Sequence, residues 1–281
     1  IAGLSLARCS ADLGLGRPRA ALGDTISVAL LFVDALFLAF LAVQARALTG
    51  GREWVEAQVG LSYAEYARQG FFQLLAAAGI ALPVVLVADW AVAPADGRRR
   101  RMVALCVTLV VLVLAVLASA ARRMILYVDA YGLTELRLYA SAGMAWLAIG
   151  FVAFARAAIL GSRERFAFHA LASGGAIVLA LGILDPTAAI VRHNAARMPS
   201  SAVGFDGRYA TSLGPDAVPA LLDVLPSLSS AARCGVARDL LERARTREEG
   251  GWRTFNVSRA RAHALLAASE GELRAAVAGC S

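Results

Sequence analysis

The chain has 281 residues, of which 59% are hydrophobic and 17% charged, with a mean hydropathy of +0.63. Ordinary soluble domains run nearer half apolar and a quarter charged, so this is the composition of a membrane protein. The 28 basic residues, all arginine, exceed the 21 acids mainly in residues 1–197, where 18 face 12, while residues 198–281 carry 10 against 9; with no basic stripe interleaved with aromatics, nucleic acid is excluded as a partner.

Five stretches are apolar over about 20 residues, the length needed to cross ~30 Å of hydrocarbon. They cover about 25–48, 70–92, 102–121, 136–160 and 166–190. The expectation is an all-α polytopic membrane protein: a helical membrane domain over 1–197, then a small helical extramembrane tail over 198–281. The chain opens on Ile1, and its first apolar run lacks a small-residue cleavage site. The N-terminus is therefore expected to be truncated, with further membrane helices ahead of it.

In the first span Asp34 lies near the middle of LLFVDALF. A central Asp costs ~2.5–3.5 kcal/mol on insertion scales, so it should face protein or water and have a partner. It is read either as a proton- or cation-coupling group or as a structural hydrogen-bonder; Gln44 lies close to the same face. The lead-in to the second span, LSYAEYARQGFF, carries Tyr63, Glu65, Tyr66 and Arg68, with Glu65 and Arg68 spaced to pair at i,i+3. Pro83 interrupts this span, which membrane helices tolerate. The run GRRRR, Gly97 to Arg101, must lie at a membrane surface.

The third span runs through Arg122 and Arg123 into YVDAYGLTELRLYA. Tyr127 and Tyr131 fall one turn apart, Gly132 suits the position past a helix end, and Thr134 is a natural N-cap with Glu135 in the first turn. The stretch reads as a tight turn between antiparallel helices, with Tyr127, Tyr131 and Tyr139 at the interface and Asp129 and Glu135 able to pair with Arg122, Arg123 or Arg137. The alternative is a polar mouth that binds a headgroup, ion or small solute. The fifth span ends in LDPTAAIVRHNAAR, where Asp185-Pro186 breaks or restarts the helix.

After Pro199 two segments, SSAARCGVARDLLERAR and NVSRARAHALLAASEGELRAAV, read as amphipathic helices, with Asn256 or Ser258 as N-cap of the last. They form either a small extramembrane domain or a layer lying on the bilayer. Cys234 and Cys280 can pair if the tail faces an oxidising compartment, and Cys106 reads as a packing residue. No metal-ligand spacing, GxSxG, HExxH, phosphate loop, GxGxxG or heptad seam occurs, so no cofactor or metal is expected and no catalytic constellation is present. Ten arginines in the loops on the N-terminal side, against eight on the other, place the tail outside the cytoplasm.

LSYAEYARQGFFQLL, LYVDAYGLTELRLY and DPTAAIVRHNAAR, followed by DAVPALL and a tryptophan-started segment, resemble a family of bacterial multi-pass inner-membrane proteins. That family is domain-of-unknown-function family 4173, related to family 4153. The resemblance covers most of residues 25–265. It implies a protein of the bacterial cytoplasmic membrane, carries no activity, and has an asparagine where this chain has Asp185. Three functions follow as expectations. One is a scaffold or sensor-like component contacting other membrane proteins through its tail. The second is an ion-coupled permease using Asp34 and the Tyr127–Arg137 cluster, and the third an enzyme acting on lipid-linked substrates at the membrane surface.

Overall fold

The computed structural model describes residues 20–49, 63–91, 98–161, 163–197, 204–245 and 255–280. All regular structure among them is helical: α1 Ala20–Thr49, α2 Tyr63–Ala91, α3 Arg98–Tyr131, α4 Glu135–Leu160, α5 Arg163–Leu184, α6 Pro186–Ala196, α7 Gly207–Ser212, α8 Val218–Val224, α9 Ser230–Arg245, α10 Val257–Ala268 and α11 Glu270–Ala278. Four helices are long and apolar enough to cross a membrane, within α1, α3, α4 and α5. The apolar part of α2, Gln73–Asp89, is shorter. Its 17 residues rise roughly 25 Å, a little under the hydrocarbon thickness.

The outer surfaces of these helices are apolar. Ile183 is 84% exposed, Leu171 75% and Phe32 72%, an arrangement that water would penalise and hydrocarbon does not. The chain is a multi-pass helical membrane protein.

Contacts divide the chain into two compact units. The first takes Ile1–Gln58, Phe72–Ser119 and Leu147–Ala170. Within it α2 buries Leu74, Ala78, Ala81, Val85 and Ala88, and α3 buries Met102, Cys106, Leu109, Val113 and Val116. Both series step by three and four residues, the spacing that keeps one narrow helix stripe against protein. The sequence shows no heptad seam because the lipid-facing positions between these residues are apolar as well. At one end of this unit Arg99 reaches Asp89 at 3.6 Å and donates to the carbonyl of Ala158 at 3.1 Å, tying the ends of α2 and α4 to the start of α3. The arginine run thus has a packing role besides its charge. The α4–α5 turn passes through Gly161 at φ 69°, and Phe154 meets Phe166 edge-on at 5.9 Å across it.

The second unit takes Val59–Phe71, Ala120–Trp146 and Leu171–Ser281. The apolar run over 166–190 turns out to be two helices, since α5 stops at Leu184 and α6 starts at Pro186. Proline supplies the first helical φ without needing a donor. Ala188, Val191 and Ala195 of α6 join an apolar core with Ala210, Leu221, Leu225, Val236, Leu240, Leu266 and Leu273 from α7 to α11 and the turns between them. The last helices therefore form a packed body with its own core. Asn256 caps α10, its side chain accepting from the Arg259 N–H at 3.0 Å, while Cys234 and Cys280 are joined in a disulfide with Cα atoms 6.0 Å apart. Cys106 is a buried thiol in α3 outside any disulfide.

Candidate functional site: the α3–α4 turn and the helical body that holds it

The stretch between α3 and α4 is built from its own residues first. Gly132 closes α3 at φ 83°, its N–H returning to the Val128 carbonyl at 2.8 Å. A side chain there would meet more than backbone strain: an added Cβ would lie 2.9 Å from Asn194 Oδ1. Thr134 caps α4, its carbonyl accepting from the Leu138 N–H at 2.9 Å and its hydroxyl oxygen from the Arg137 N–H at 3.4 Å. Arg137 folds back to donate to the Gly132 carbonyl and stacks its guanidinium over the Tyr127 ring at 3.9 Å. Tyr127 in turn meets Tyr131 edge-on at 5.3 Å.

Three groups from beyond α5 then grip this turn. The Asn194 side-chain amide pairs with Leu133 like a strand neighbour, accepting from its N–H at 2.7 Å and donating to its carbonyl at 2.9 Å. Arg197 donates to the Asp129 carbonyl. Tyr209, in the six-residue α7, accepts from the Glu135 N–H at 2.9 Å, taking up one of the four donors that a helix start leaves open. Burial pushes the Tyr209 phenol above its usual value of 10.0; the bond from Glu135 opposes that and the Glu135 carboxylate adds to it. The phenol stays protonated throughout the neutral range, so the grip is insensitive to pH there.

The sequence-derived candidates separate accordingly. Tyr127, Tyr131 and Arg137 are brought together with Gly132 and Thr134 of the turn: the Arg137 guanidinium and the Thr134 hydroxyl are engaged inside the turn, and the two tyrosines meet through their rings. The expected ion pairs of Asp129 and Glu135 with Arg122, Arg123 or Arg137 are not formed: Arg137 is used by the Gly132 carbonyl and the Tyr127 ring, and Asp129 contributes its backbone carbonyl instead of its carboxylate. Arg122 is exposed and Arg123 is buried at 6% exposure. Tyr139 is half exposed, as an interfacial tyrosine should be. The side chains of Tyr63, Glu65, Tyr66 and Arg68 lie outside the described residues.

Asp34 is buried in α1 at 6% exposure, and neither carboxylate oxygen has a hydrogen-bond partner among the described residues. The partner that its cost demands is therefore not supplied by them. Gln44, on the same helix, accepts from the Ser119 hydroxyl of α3 at 3.5 Å.

Asp185 is the N-cap of α6, at φ 47°, accepting from the Ala188 N–H at 3.2 Å and the Thr187 hydroxyl at 2.8 Å. Asn and Asp are the non-glycine residues that best tolerate this left-handed backbone and cap a helix with a short side-chain oxygen. Asp185→Asn should accordingly be neutral within ~0.5 kcal/mol. Asp185→Ala should cost about 2 kcal/mol, from a lost cap and a left-handed alanine. Thermal melting of the two variants in nanodiscs distinguishes a structural Asp185 from a titrating one.

Sequence reading missed Tyr209, because α7 is too short for periodicity to show and its partner lies 74 residues away. It also missed a cleft of about 580 Å³ in the helical body, walled by α7, α9 and α10.

An all-helical, multi-pass membrane chain whose terminal helical body grips an interhelical turn defines the class. The chain belongs to the family described as domain of unknown function DUF4153, whose model matches residues 5–224. This is the family placed as the near relative in the sequence reading. No curated protein and no solved structure matches the chain.

Proposed function

We propose that this protein is a sensor-like or scaffold component of the bacterial cytoplasmic membrane, in which the α6–α11 body receives a signal or partner and passes it to the membrane helices. The observation that carries this reading is the grip of Asn194 and Tyr209 on the α3–α4 turn: a shift of α6 or α7 has a direct hydrogen-bonded path to the start of α4. In this reading the body lies on the extracytoplasmic side. Disulfides persist in oxidising compartments, so the Cys234–Cys280 bond supports that side, as does the arginine excess in the loops on the opposite face. In this reading the Tyr127–Arg137 cluster is a joint, because Arg137 and the backbone of Asp129, Gly132, Leu133 and Glu135 are used to hold the turn.

Asp34, whose carboxylate has no hydrogen-bond partner among the described residues, favours a second reading, an ion-coupled permease. One experiment separates the two. In a host lacking the gene, a chain stopped after Arg197 should fail to complement while Asp34→Asn complements, both being present in the membrane at wild-type level by immunoblot. The reverse pattern, with a proton flux in proteoliposomes that Asp34→Asn abolishes, replaces the sensor reading by the permease.

A further inference from the structure

The cleft in the helical body is defined by helix periodicity. Asp239, Glu242 and Arg243 share one face of α9, at i, i+3 and i+4, and Arg259, Ala262, His263 and Leu266 share one face of α10. Ala262 and Leu266 are buried and form an apolar floor, while Arg208 of α7 stands exposed at the side. At about 580 Å³ the space is that of a small-molecule site.

Its charges are only partly spent. The Arg243 guanidinium donates to the carbonyls of Gly214 at 3.0 Å and Thr211 at 2.7 Å, which fixes its position without neutralising it. Arg208 makes no ion pair among the described residues. One turn before Arg243 on the same face of α9, Asp239 accepts from the Thr211 hydroxyl at 2.9 Å on Oδ2, its only side-chain hydrogen bond among the described residues. Two cations without carboxylate partners among the described residues disfavour a simple cation, and the Asp239 carboxylate disfavours a simple anion. A molecule with both charges satisfies both kinds of side chain at once.

We propose that this cleft binds a small zwitterion, its anionic end on Arg208 and Arg243, its ammonium end on Asp239 and its apolar part over Ala262 and Leu266. The inference deepens the sensor reading by naming the chemistry of the signal. It also supplies a route for it, since Arg208, Thr211 and Ser212 of the cleft lie on the same six-residue helix as Tyr209. Two sources present this chemistry, a free amino acid and the headgroup of a zwitterionic lipid.

The test uses the full chain in nanodiscs of phosphatidylglycerol alone, which supply no zwitterionic headgroup. L-leucine and glycerophosphoethanolamine are titrated separately by calorimetry. The expected result is saturable binding of one of them at one per chain, weakened at least ten-fold by Arg208→Gln and by Asp239→Asn, with the melting temperature of the unliganded variants unchanged. Binding of leucine alone identifies a free amino acid as the source; binding of glycerophosphoethanolamine alone identifies a lipid headgroup. The proposal is overturned if neither probe binds, or if binding survives both substitutions within two-fold. Such a failure leaves the complementation test of the sensor reading untouched, because that test depends on the body and not on its ligand.

Discussion

Asn194→Ala should destabilise the junction between the helical body and the α3–α4 turn by about 2–4 kcal/mol, the largest loss expected from any single side chain in it. The substitution strips partners from both the N–H and the carbonyl of Leu133, and each partly buried group left unsatisfied costs ~1–3 kcal/mol. Hydrogen exchange followed by mass spectrometry reads this directly. Amide exchange in peptides spanning 128–138 should accelerate roughly 30- to 700-fold, a factor of ten for each 1.4 kcal/mol. Asn194→Asp keeps the acceptor for the Leu133 N–H but sets a carboxylate oxygen against the Leu133 carbonyl, so it should fall between alanine and wild type. Gly132→Ala attacks the same joint from the other side. A left-handed alanine and a Cβ 2.9 Å from Asn194 Oδ1 should together cost about 1–3 kcal/mol. If exchange in 128–138 is unchanged in Asn194→Ala, the turn is held by α3 and α4 alone and the proposed path into the membrane helices does not exist.

Breaking the Cys234–Cys280 disulfide should cost the helical body about 4 kcal/mol. The bond closes a separation of 46 residues, and the loop-entropy relation gives about that value for a loop of this length. Against a typical domain stability of ~5–15 kcal/mol the loss is large, and a small body with an alanine-rich core has little to offset it. The double variant Cys234→Ser/Cys280→Ser should show faster exchange at the buried positions of α9 and α10 and a lower denaturation midpoint for the body, with α1 to α4 unaffected. Non-reducing electrophoresis of the protein from intact membranes checks the compartment as well. An extracytoplasmic body should run as the oxidised form, and a body in the reducing cytoplasm should run reduced and be indifferent to the double substitution.

The membrane character, the helix class and most helix positions were legible in the sequence because each rests on local chemistry. Twenty apolar residues have no other stable use, and Gly132, Thr134, Glu135 and Asn256 act within one helical turn of themselves. The restart at Asp185-Pro186 was legible for the same reason, although the apolar run through Ile190 disguised where the membrane helix ends. Ile190 is apolar for a different purpose, burial in protein. The stripes of α2 and α3 were not legible, since a residue facing lipid and a residue facing another helix are both apolar and only contact tells them apart.

By itself, then, the sequence determined a multi-pass helical membrane protein with a helical tail, and it marked the polar stretch between α3 and α4 as unusual. What that stretch is for was decided by tertiary structure. Asn194 lies 61 residues from Leu133, Tyr209 lies 74 from Glu135, and the walls of the cleft come from α7, α9 and α10. A hydrogen bond over such a separation leaves no periodic trace in the chain, because it depends on where two helices end in space.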